Sequence, residues 1–325
     1  MTQDHEQKKS EVRHVTVETH WQDSRVDRFL AAQWPGVPPS LLHRLLRSGQ
    51  IRVNSGRVAG GVRLKQGDVV RLPPIVLQVA PAQQQPTVPA TVVRKIPQWT
   101  LWRDSHLLIL NKPAGIVVHS GSDQPWGMID AVRLWFSQYE PEVTPELCHR
   151  LDRDTSGCLL FGLHPAATRA WMEQLRHGQV DKQYVALVHG VVRQNSGTIQ
   201  LPLVKGSLHS GERMVTAGAN QANGRHAVTH FRVVQRFATT TLIELVLATG
   251  RTHQIRAHMQ ELGHPVAGDG KYGDRLGNRR LAGNGLRRMF LHAQRLVFSH
   301  PITGQRIEVQ SSLPPDLAGL LQQLG

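Results

Sequence analysis

Apolar residues between positions 24 and 49 recur every three to four residues, which is the spacing of a buried helical face. Two short helices fit this stretch, because Pro35-Gly36 interrupts the repeat and Gly49 ends it. Pro38-Pro39-Ser40 offers an N-cap for the second helix. The pattern therefore predicts a helical pair. Its apolar positions are Val26, Phe29, Leu30 and Trp34, followed by Leu41, Leu42, Leu45 and Leu46.

Two stretches after these helices alternate apolar and polar residues in the manner of strands. Residues 51–58 turn at Asn54-Ser55-Gly56, and residues 62–72 turn at Gln66-Gly67-Asp68. Alternation on both sides of such a turn is typical of a β-hairpin. We therefore expect two short hairpins after the helical pair.

The second half of the chain contains more strand patterns than helix patterns. The predicted strands are 107–110, 158–161, 183–189, 231–237, 240–248, 291–298 and 306–310, and the predicted helices are 128–139, 164–176, 251–262 and 316–324. Because strands and helices do not alternate, the pattern favours an α+β fold with a mostly antiparallel sheet.

A stretch rich in proline and glutamine separates the two patterned regions. We predict a partly extended linker over residues 80–98. Residues 1–12 show no apolar periodicity and are expected to form a loose tail. The chain then divides into a small domain at residues 13–79 and a large domain at residues 99–325.

Charge is concentrated in the small domain. The chain has 38 Lys and Arg against 24 Asp and Glu, a net charge of +14. Residues 24–72 contain nine Lys or Arg and two Asp, so half of the net charge lies in this stretch. Such a balance suits a polyanionic partner such as a nucleic acid.

The small domain resembles the S4-type RNA-binding module, through two short helices with one cationic face and a short β-unit. The segment GVPPSLLHRLLRSGQIRVN carries most of the likeness. The resemblance implies contacts to phosphates rather than bases. A basic domain that only solubilises the chain is the alternative. The expected contact residues are Arg28, Arg44, Arg47 and Arg52.

Ionisable residues are packed together in the run CHRLDRDTSGCLL, residues 148–160. Unpaired ionic side chains rarely enter a core, so a polar loop that leads into a buried strand is indicated. Such loops often carry chemistry. A solvated turn with a local Asp/Arg ion pair explains the same run, and the string alone leaves both open.

The nine residues HRLDRDTSG resemble the signature of the RluA-type family of RNA pseudouridine synthases. The same family carries a KPxG segment, a K-x-Y segment and two further blocks, and all are present in the same order. They are KPAG at 112–115, KQY at 182–184, GRTHQIR at 250–256 and GDGKYG at 268–273. The resemblance covers about residues 99–310 and implies the α+β pseudouridine synthase fold.

Isomerising uridine to pseudouridine breaks the C1′–N1 bond and forms a bond through C5, so no atom is gained or lost. The step needs an ionised carboxylate, a group that moves the C5 proton and a closed site. The resemblance implies that Asp152 is the carboxylate, that Arg256 is its cationic partner and that Tyr184 stacks on the base and assists the proton transfer. A core tyrosine with a bonded hydroxyl is the alternative for Tyr184.

A uridine within structured RNA must leave its stack before it can react. The resemblance implies that Arg150 enters the RNA in its place, because a planar guanidinium can both stack and pair. A surface ion pair between Arg150 and Asp154 is the alternative. The matching blocks contain three further expected substrate-binding residues, His149, Arg251 and Lys112.

The sequence predicts no cofactor. His253 and His258 are five residues apart, and neither an HExxH motif nor a Cys/His cluster with zinc spacing occurs. The two cysteines, Cys148 and Cys158, are expected to be buried free thiols. The glycine-rich segments match neither a phosphate loop nor a dinucleotide fingerprint. We therefore expect neither a metal nor a nucleotide cofactor.

The expected partner is ribosomal RNA. An S4-type domain beside this catalytic domain, with HSGS at 119–122 and GERM at 211–214, is most similar to the large-subunit ribosomal RNA subgroup of type C. The alternatives are the type D subgroup, a tRNA-directed member, and a non-catalytic RNA-binding factor of ribosome assembly. We expect a monomer. We also expect a cytoplasmic location, because no apolar run approaches the ~20 residues that span a bilayer and residues 1–10 are polar.

Overall fold

The computed structural model of the chain describes residues 12–34, 37, 39–74, 88–121, 124–208, 211–216 and 224–325. The chain divides into two compact units between Gln85 and Pro86. Residues 1–11 of the expected tail, the Pro35-Gly36 stop, Pro38 of the expected N-cap and the first part of the expected linker lie outside the described residues.

The small unit packs two helices on a four-stranded sheet of order β1-β4-β2-β3. The predicted helical pair is confirmed, because the inward side chains of both helices lie in one buried core. The helices are α1 (Val26–Gln33) and α2 (Pro39–Arg47), and the strands are β1 (Arg13–Thr16), β2 (Arg52–Val53), β3 (Gly56–Arg57) and β4 (Val69–Leu72).

The first predicted hairpin is confirmed and the second is wrong. Strands β2 and β3 pair across Asn54 and Ser55, whose φ angles of 47° and 66° suit a tight hairpin turn. Residues 62–66 contain no strand, and β4 pairs instead with β1 and β2. Apolar–polar alternation predicts that residues 69–72 form a strand. It does not predict that this strand pairs with β1, which lies far away in the sequence.

The second part of the predicted linker is folded, which corrects the boundary at residue 98. Helices α3 (Ala90–Val93) and α4 (Ile96–Trp99) occupy it, and Val93 and Ile96 are buried in the large core. Pro89 is the N-cap of α3, and a proline lies in the first turn of α4. Proline is favoured at a helix start, so its presence there does not indicate a linker.

The large unit is built on a ten-stranded sheet of order β10-β13-β14-β9-β15-β8-β6-β5, in which β16 also pairs with β15 and β7 with β8. Its pairings are antiparallel except for β15 with β8, so the α+β prediction is confirmed. The strands are β5 (Thr100–Arg103), β6 (Leu107–Lys112), β7 (Glu146–Leu147), β8 (Ser156–Gly162), β9 (Asp181–His189), β10 (Ser196–Ile199), β13 (Thr229–Arg236), β14 (Thr240–Leu247), β15 (Leu291–Ser299) and β16 (Arg306–Gln310).

As far as the structure describes the large unit, a two-stranded ribbon and five further helices complete it. The ribbon pairs β11 (Leu203–Leu208) with β12 (Gly211–Thr216). The helices are α5 (Met128–Tyr139), α6 (Pro165–Arg176), α7 (Gln254–Glu261), α8 (Arg275–Gly283) and α9 (Pro315–Leu324). Among the helices that the structure describes, none has the length and apolar character needed to cross a membrane.

The central strand β8 fixes the loop that precedes it. All seven of its residues are buried, and it lies between β15 and β6. Gly157 has a φ of 110°, and a Cβ there would lie 2.2 Å from the carbonyl oxygen of Ala293. Only glycine permits this close approach. The HRLDRDTSG loop is thereby held against β15 and the start of α7.

Candidate active site

Three charged side chains form a chain of hydrogen bonds at the base of a cleft. Arg256 Nη1 donates to Asp152 Oδ2 at 3.0 Å, while Arg256 Nε and Nη2 donate to the two oxygens of Asp269 at 2.6 and 3.0 Å. The Asp269 side chain is fully buried, and those of Arg256 and Asp152 are 11% and 16% exposed. The predicted pair of Asp152 and Arg256 is therefore in contact.

Mutual pairing keeps Arg256 and Asp269 charged. Burial opposes the charge of Arg256, but the hydrogen bonds and charges of Asp269 and Asp152 outweigh it and raise the Arg256 pKa. Burial likewise opposes the charge of Asp269, and Arg256 outweighs it and lowers the Asp269 pKa. The base of the cleft thus holds a fixed cation beside Asp152.

Asp269 is a site residue that sequence reasoning missed. Its Oδ1 accepts the backbone N–H groups of Lys271 and Tyr272 at 2.8 and 3.0 Å. Gly268 has a φ of 75°, and a Cβ there would lie 2.1 Å from the Arg288 carbonyl oxygen. The signal was the GDGKYG block, whose glycines allow the tight turn that points Asp269 at Arg256.

The pocket above these charges has one polar wall and one apolar wall. Its cavity volume is about 190 Å³. Asp152, Arg256 and Thr155 lie on its polar side. The apolar contribution comes from Leu175, Leu247, Ile255 and Leu291. A pocket of this size and lining suits a flat heterocycle with polar edges.

Tyr184 lies on β9 and lines this pocket, as the family resemblance implied. Its side chain is largely buried, with 7% exposure of the residue. Burial and then the charge of Asp152 raise the Tyr184 pKa. The pocket therefore presents a neutral phenol, which can stack on a ring and donate a hydrogen bond.

His253 also borders the pocket, and its spacing from His258 did not predict this position. It is a non-glycine residue with a φ of 53°, and its Nε2 lies 3.9 Å from Asp152 Oδ2. Its Nδ1 is 2.9 Å from Tyr272 Oη, which accepts the Met214 N–H at 2.8 Å. Burial lowers the His253 pKa. A neutral imidazole held in a left-handed conformation thus stands beside the carboxylate.

Arg150 and Arg251 lie at the mouth of the pocket and are exposed. Arg251 Nε donates to the His226 carbonyl oxygen at 3.1 Å. Asp154 is paired with Arg153 at 3.1 Å rather than with Arg150, so the surface pair considered for Arg150 does not form. The contact of Arg150 and Arg251 to RNA stays a prediction.

Lys112, which its motif suggested as a substrate-binding residue, makes structural hydrogen bonds, and its contact to substrate stays a prediction. The residue has no exposed surface, and its Nζ donates to the carbonyl oxygens of Pro113, Ile116 and Arg153 at 2.8, 2.7 and 2.9 Å. All three ammonium hydrogens are therefore used within the protein. Lys112 ties the KPxG turn to the HRLDRDTSG loop.

His149 borders the pocket but has a structural bond of its own. Its Nε2 accepts the Leu160 N–H at 3.0 Å, and its ring packs on Trp171 with the centroids 5.6 Å apart. Burial, followed by the charge of Lys182, lowers the His149 pKa to about 3. The neutral ring holds the loop against β8, and the expected contact to substrate stays a prediction.

The four arginines expected to bind RNA in the small unit are all exposed. Arg44 and Arg47 lie on α2, and Leu42, Leu45 and Leu46 of the same helix are buried. Arg52 follows on β2, and its Nε donates to the Gly49 carbonyl oxygen at 3.1 Å. Arg28 is exposed on α1.

One group of side chains in the described part of the chain has ligand atoms at metal-binding distances. Asp104, His106 and His300 present atoms within 4.8 Å of one another. However, His300 Nδ1 accepts the N–H groups of Ile302 and Thr303, so the proton of the neutral ring lies on Nε2, 2.9 Å from Asp104 Oδ2. A protonated nitrogen is not a ligand, and the group is better explained as a histidine–carboxylate contact.

Comparison with known proteins gives a consistent answer. A family model described as RNA pseudouridylate synthase matches residues 106–261. The ribosomal large subunit pseudouridine synthase C of Escherichia coli K12 is 42% identical over 304 residues, 92% of each chain. The protein of the same name from Yersinia pestis is 40% identical over 312 residues, 95% of each chain.

Solved structures agree on the fold. The human RNA pseudouridylate synthase domain containing 1 protein has a TM-score of 0.55 and 27% identity, covering 68% of this chain and 86% of that one. The human domain containing 4 protein has a TM-score of 0.60 and 24% identity, covering 72% of this chain and 95% of that one. With Asp152, Tyr184 and Arg256 gathered around one pocket, these similarities establish that the chain belongs to the RluA-type family of RNA pseudouridine synthases, enzymes that isomerise uridine within RNA.

Proposed function

We propose that this enzyme converts uridines of large-subunit ribosomal RNA to pseudouridine, as the names of its relatives indicate for those proteins. The observation that carries the proposal is the state of Asp152. Within the described residues, its Oδ2 is bonded to Arg256, while no bond is found for Oδ1 beside the pocket. A carboxylate with one oxygen anchored and one available is suited to act on a bound sugar or base.

The reaction follows from the positions of the pocket residues. A flipped uridine enters the pocket, and its ring stacks on Tyr184. Asp152 attacks or stabilises the electron-poor centre as the C1′–N1 bond breaks, and the hydrogen bond from Arg256 Nη1 holds this carboxylate in place. The ring turns within the closed pocket, C5 bonds to C1′, and the C5 proton is moved with the help of the Tyr184 phenol. Arg150 fills the gap left in the RNA.

The rest of the molecule would bring the RNA to this pocket. The S4-like unit, with exposed Arg28, Arg44, Arg47 and Arg52, would bind phosphates, and Arg251 would contact the strand near the pocket. We infer that the enzyme acts as a monomer in the cytoplasm, where ribosomal RNA is made in bacteria. An isomerisation that neither gains nor loses atoms requires no redox cofactor.

The test is to map pseudouridines in ribosomal RNA and tRNA from cells with and without the gene, and to complement the deletion with wild type or Asp152→Asn. We expect sites in the large-subunit RNA to disappear on deletion and to return with wild type alone. Loss confined to tRNA would favour the tRNA-directed alternative. Loss at large-subunit positions other than those that type C enzymes modify would favour type D.

The same experiment separates an enzyme from a non-catalytic assembly factor. Asp152→Asn retains the shape of the side chain but removes its charge, and Asp269 still pairs with Arg256. The variant should therefore fold and bind RNA while turnover is lost. Complementation of the pseudouridine pattern by Asp152→Asn would contradict the proposed mechanism, and ribosome assembly restored without any modification would favour the assembly factor.

A further inference from the structure

A second buried lysine, Lys182, faces the pocket. Side chains alternate along a strand, so Lys182 and Tyr184 of β9 extend from the same face of the sheet. Both are largely buried, with 8% and 7% exposure, and both line the pocket together with Asp152 and Arg256. Lys182 is therefore the only lysine that lines this pocket among the described residues.

The Lys182 ammonium has no counter-ion in the part of the chain that the structure describes. Among the described residues no ion pair and no hydrogen bond to its Nζ is found, and burial is the one influence that lowers its pKa. Its charge is felt by His149, and a Cβ added at Gly250 would lie 3.4 Å from Nζ, which places the ammonium at the pocket wall. An uncompensated buried cation destabilises a fold, so a role with a ligand explains its presence better than a structural role.

Lys112 provides the contrast within the same molecule. It too is a buried lysine beside the HRLDRDTSG loop, but three backbone carbonyl oxygens accept its three hydrogens. No such bonds to Lys182 Nζ are found among the described residues, and burial alone lowers the Lys182 pKa. Lys112 is satisfied without a ligand, whereas Lys182 requires an acceptor that enters the pocket.

The acceptor is identified by the shape and lining of the pocket. Leu247, Ile255 and Leu291 provide apolar surface that suits a ring and not a phosphate. Phosphates would meet the exposed Arg150 and Arg251 at the mouth. The group that reaches Lys182 is then the polar edge of a base, and uracil presents carbonyl oxygens there.

We propose that Lys182 is a catalytic and base-recognising residue whose ammonium donates a hydrogen bond to a carbonyl oxygen of the flipped uracil. The inference rests on the proposed function. When C1′–N1 breaks, its electron pair leaves with the ring, and the negative charge spreads over N1 and the carbonyl oxygens. Lys182 stabilises that charge while Asp152 meets the positive charge at C1′. C5 then bonds to C1′ with the same electron pair, C5 loses its proton, and N1 gains one.

When the oxygen that Lys182 contacts is the one at C4, the same contact selects uridine over cytidine. Cytosine carries an amino group at C4 where uracil carries a carbonyl oxygen. An ammonium directed at that position would face another donor, which leaves both groups unpaired in a buried site. Discrimination at the base edge is thus built into the residue that stabilises the departing ring.

The test compares Lys182→Met with wild type in single-turnover pseudouridine formation on an RNA that wild type modifies. We expect the rate to fall roughly 100- to 1,000-fold, as for loss of a donor at developing charge, with the RNA Kd within about twofold of wild type. The melting temperature should stay equal or rise, because an apolar side chain replaces an uncompensated buried cation. Lys95→Met, at an exposed position between α3 and α4, is the matched control and should change nothing.

Chemical rescue distinguishes the charge from the shape. Lys182→Cys alkylated with 2-bromoethylamine regains an ammonium at nearly the same distance, and we expect at least a tenfold recovery of rate. Cys148 and Cys158 are buried, and burial raises the pKa of both thiols to about 12, so they should not react. Alkylated wild type controls for this.

Two results would overturn the inference. One is a Lys182→Met rate within about threefold of wild type. The other is a lower melting temperature together with weaker RNA binding and no recovery on alkylation, which would identify a structural lysine. Failure of the proposed function is seen separately, because wild type itself would then leave large-subunit ribosomal RNA unmodified. The Lys182 comparison is made on whichever RNA wild type does modify.

Discussion

Asp269→Asn tests whether the buried acid supports the catalytic pair. The substitution leaves Arg256 with one carboxylate instead of two, at a site where Asp269 is fully buried and Arg256 is 11% exposed. Breaking a buried ion pair costs about 3–5 kcal/mol. Because Asp152 remains bonded to Arg256, we expect the lower end, about 3 kcal/mol. For a unit of this size, that corresponds to a fall in Tm of roughly 6–12 °C.

Activity should fall as well, because Arg256 would be free to turn both of its donor edges toward Asp152. Tying up the second carboxylate oxygen should lower the single-turnover rate by roughly 10- to 100-fold. Calorimetry and a pseudouridine assay on the same preparation measure both effects.

The control is Asp316→Asn, which removes the same charge from another Asp–Arg pair. Arg288 Nε lies 2.7 Å from Asp316, whose side chain is 52% exposed. Although the Arg288 side chain is only 17% exposed, the carboxylate that is neutralised lies half in solvent, so the pair should contribute about 1 kcal/mol. The control should then melt within roughly 4 °C of wild type and keep its activity. If Asp269→Asn were no less stable than this control and equally active, Asp269 would have no supporting role.

Three further outcomes are expected. Deleting residues 1–85 should leave the large unit folded, because its core begins at Val88. RNA binding should weaken, and its salt dependence should become shallower by about 0.7 log units per lost phosphate contact. Equal salt slopes for the full chain and the deletion variant would exclude docking by the small unit. Below pH 6.5 His149 takes up a proton in the unfolded chain, whereas in the folded protein it does so only near pH 3. The free energy of unfolding should therefore decrease as the pH falls from 6.5 to 3, by up to about 1.4 kcal/mol per pH unit. Denaturant titrations at several pH values should show a weaker pH dependence of this free energy for His149→Gln. Turnover should survive treatment with EDTA. Loss of activity that zinc alone restores would contradict this, whereas restoration by magnesium would not, because magnesium also folds RNA.

The sequence predicted those features whose cause is local. The leucine stripe of α2, the turn at Asn54-Ser55 and the predominance of strands each follow from nearby residues, and all are found. The second hairpin failed because β4 pairs with β1, and the linker was drawn too long because prolines at helix starts resemble prolines in spacers. Pairing partners and packing surfaces depend on distant residues, which local patterns do not contain.

The candidate site shows the same division. Asp152 and Arg256 are 104 residues apart, and only the family resemblance predicted that they meet. Asp269 stood within a matching block, but no pattern assigns it to Arg256. Lys112 stood within a motif as well, and the motif did not reveal that three carbonyl oxygens satisfy it. Whether a motif residue serves the fold or the substrate depends on where its hydrogen bonds end, which requires the structure.

The arrangement around Arg256 explains how a carboxylate can be both held and available. A guanidinium usually binds a carboxylate with two parallel N–H groups, and such a bond would occupy both oxygens of Asp152. Here Asp269, fixed by two backbone N–H groups, takes the Nε and Nη2 edge, so Asp152 receives a single bond from Nη1. The single bond from Arg256 Nη1 anchors one oxygen of Asp152, and its second oxygen remains free to act on the substrate. The buried Asp269 therefore sets the geometry in which Asp152 can react.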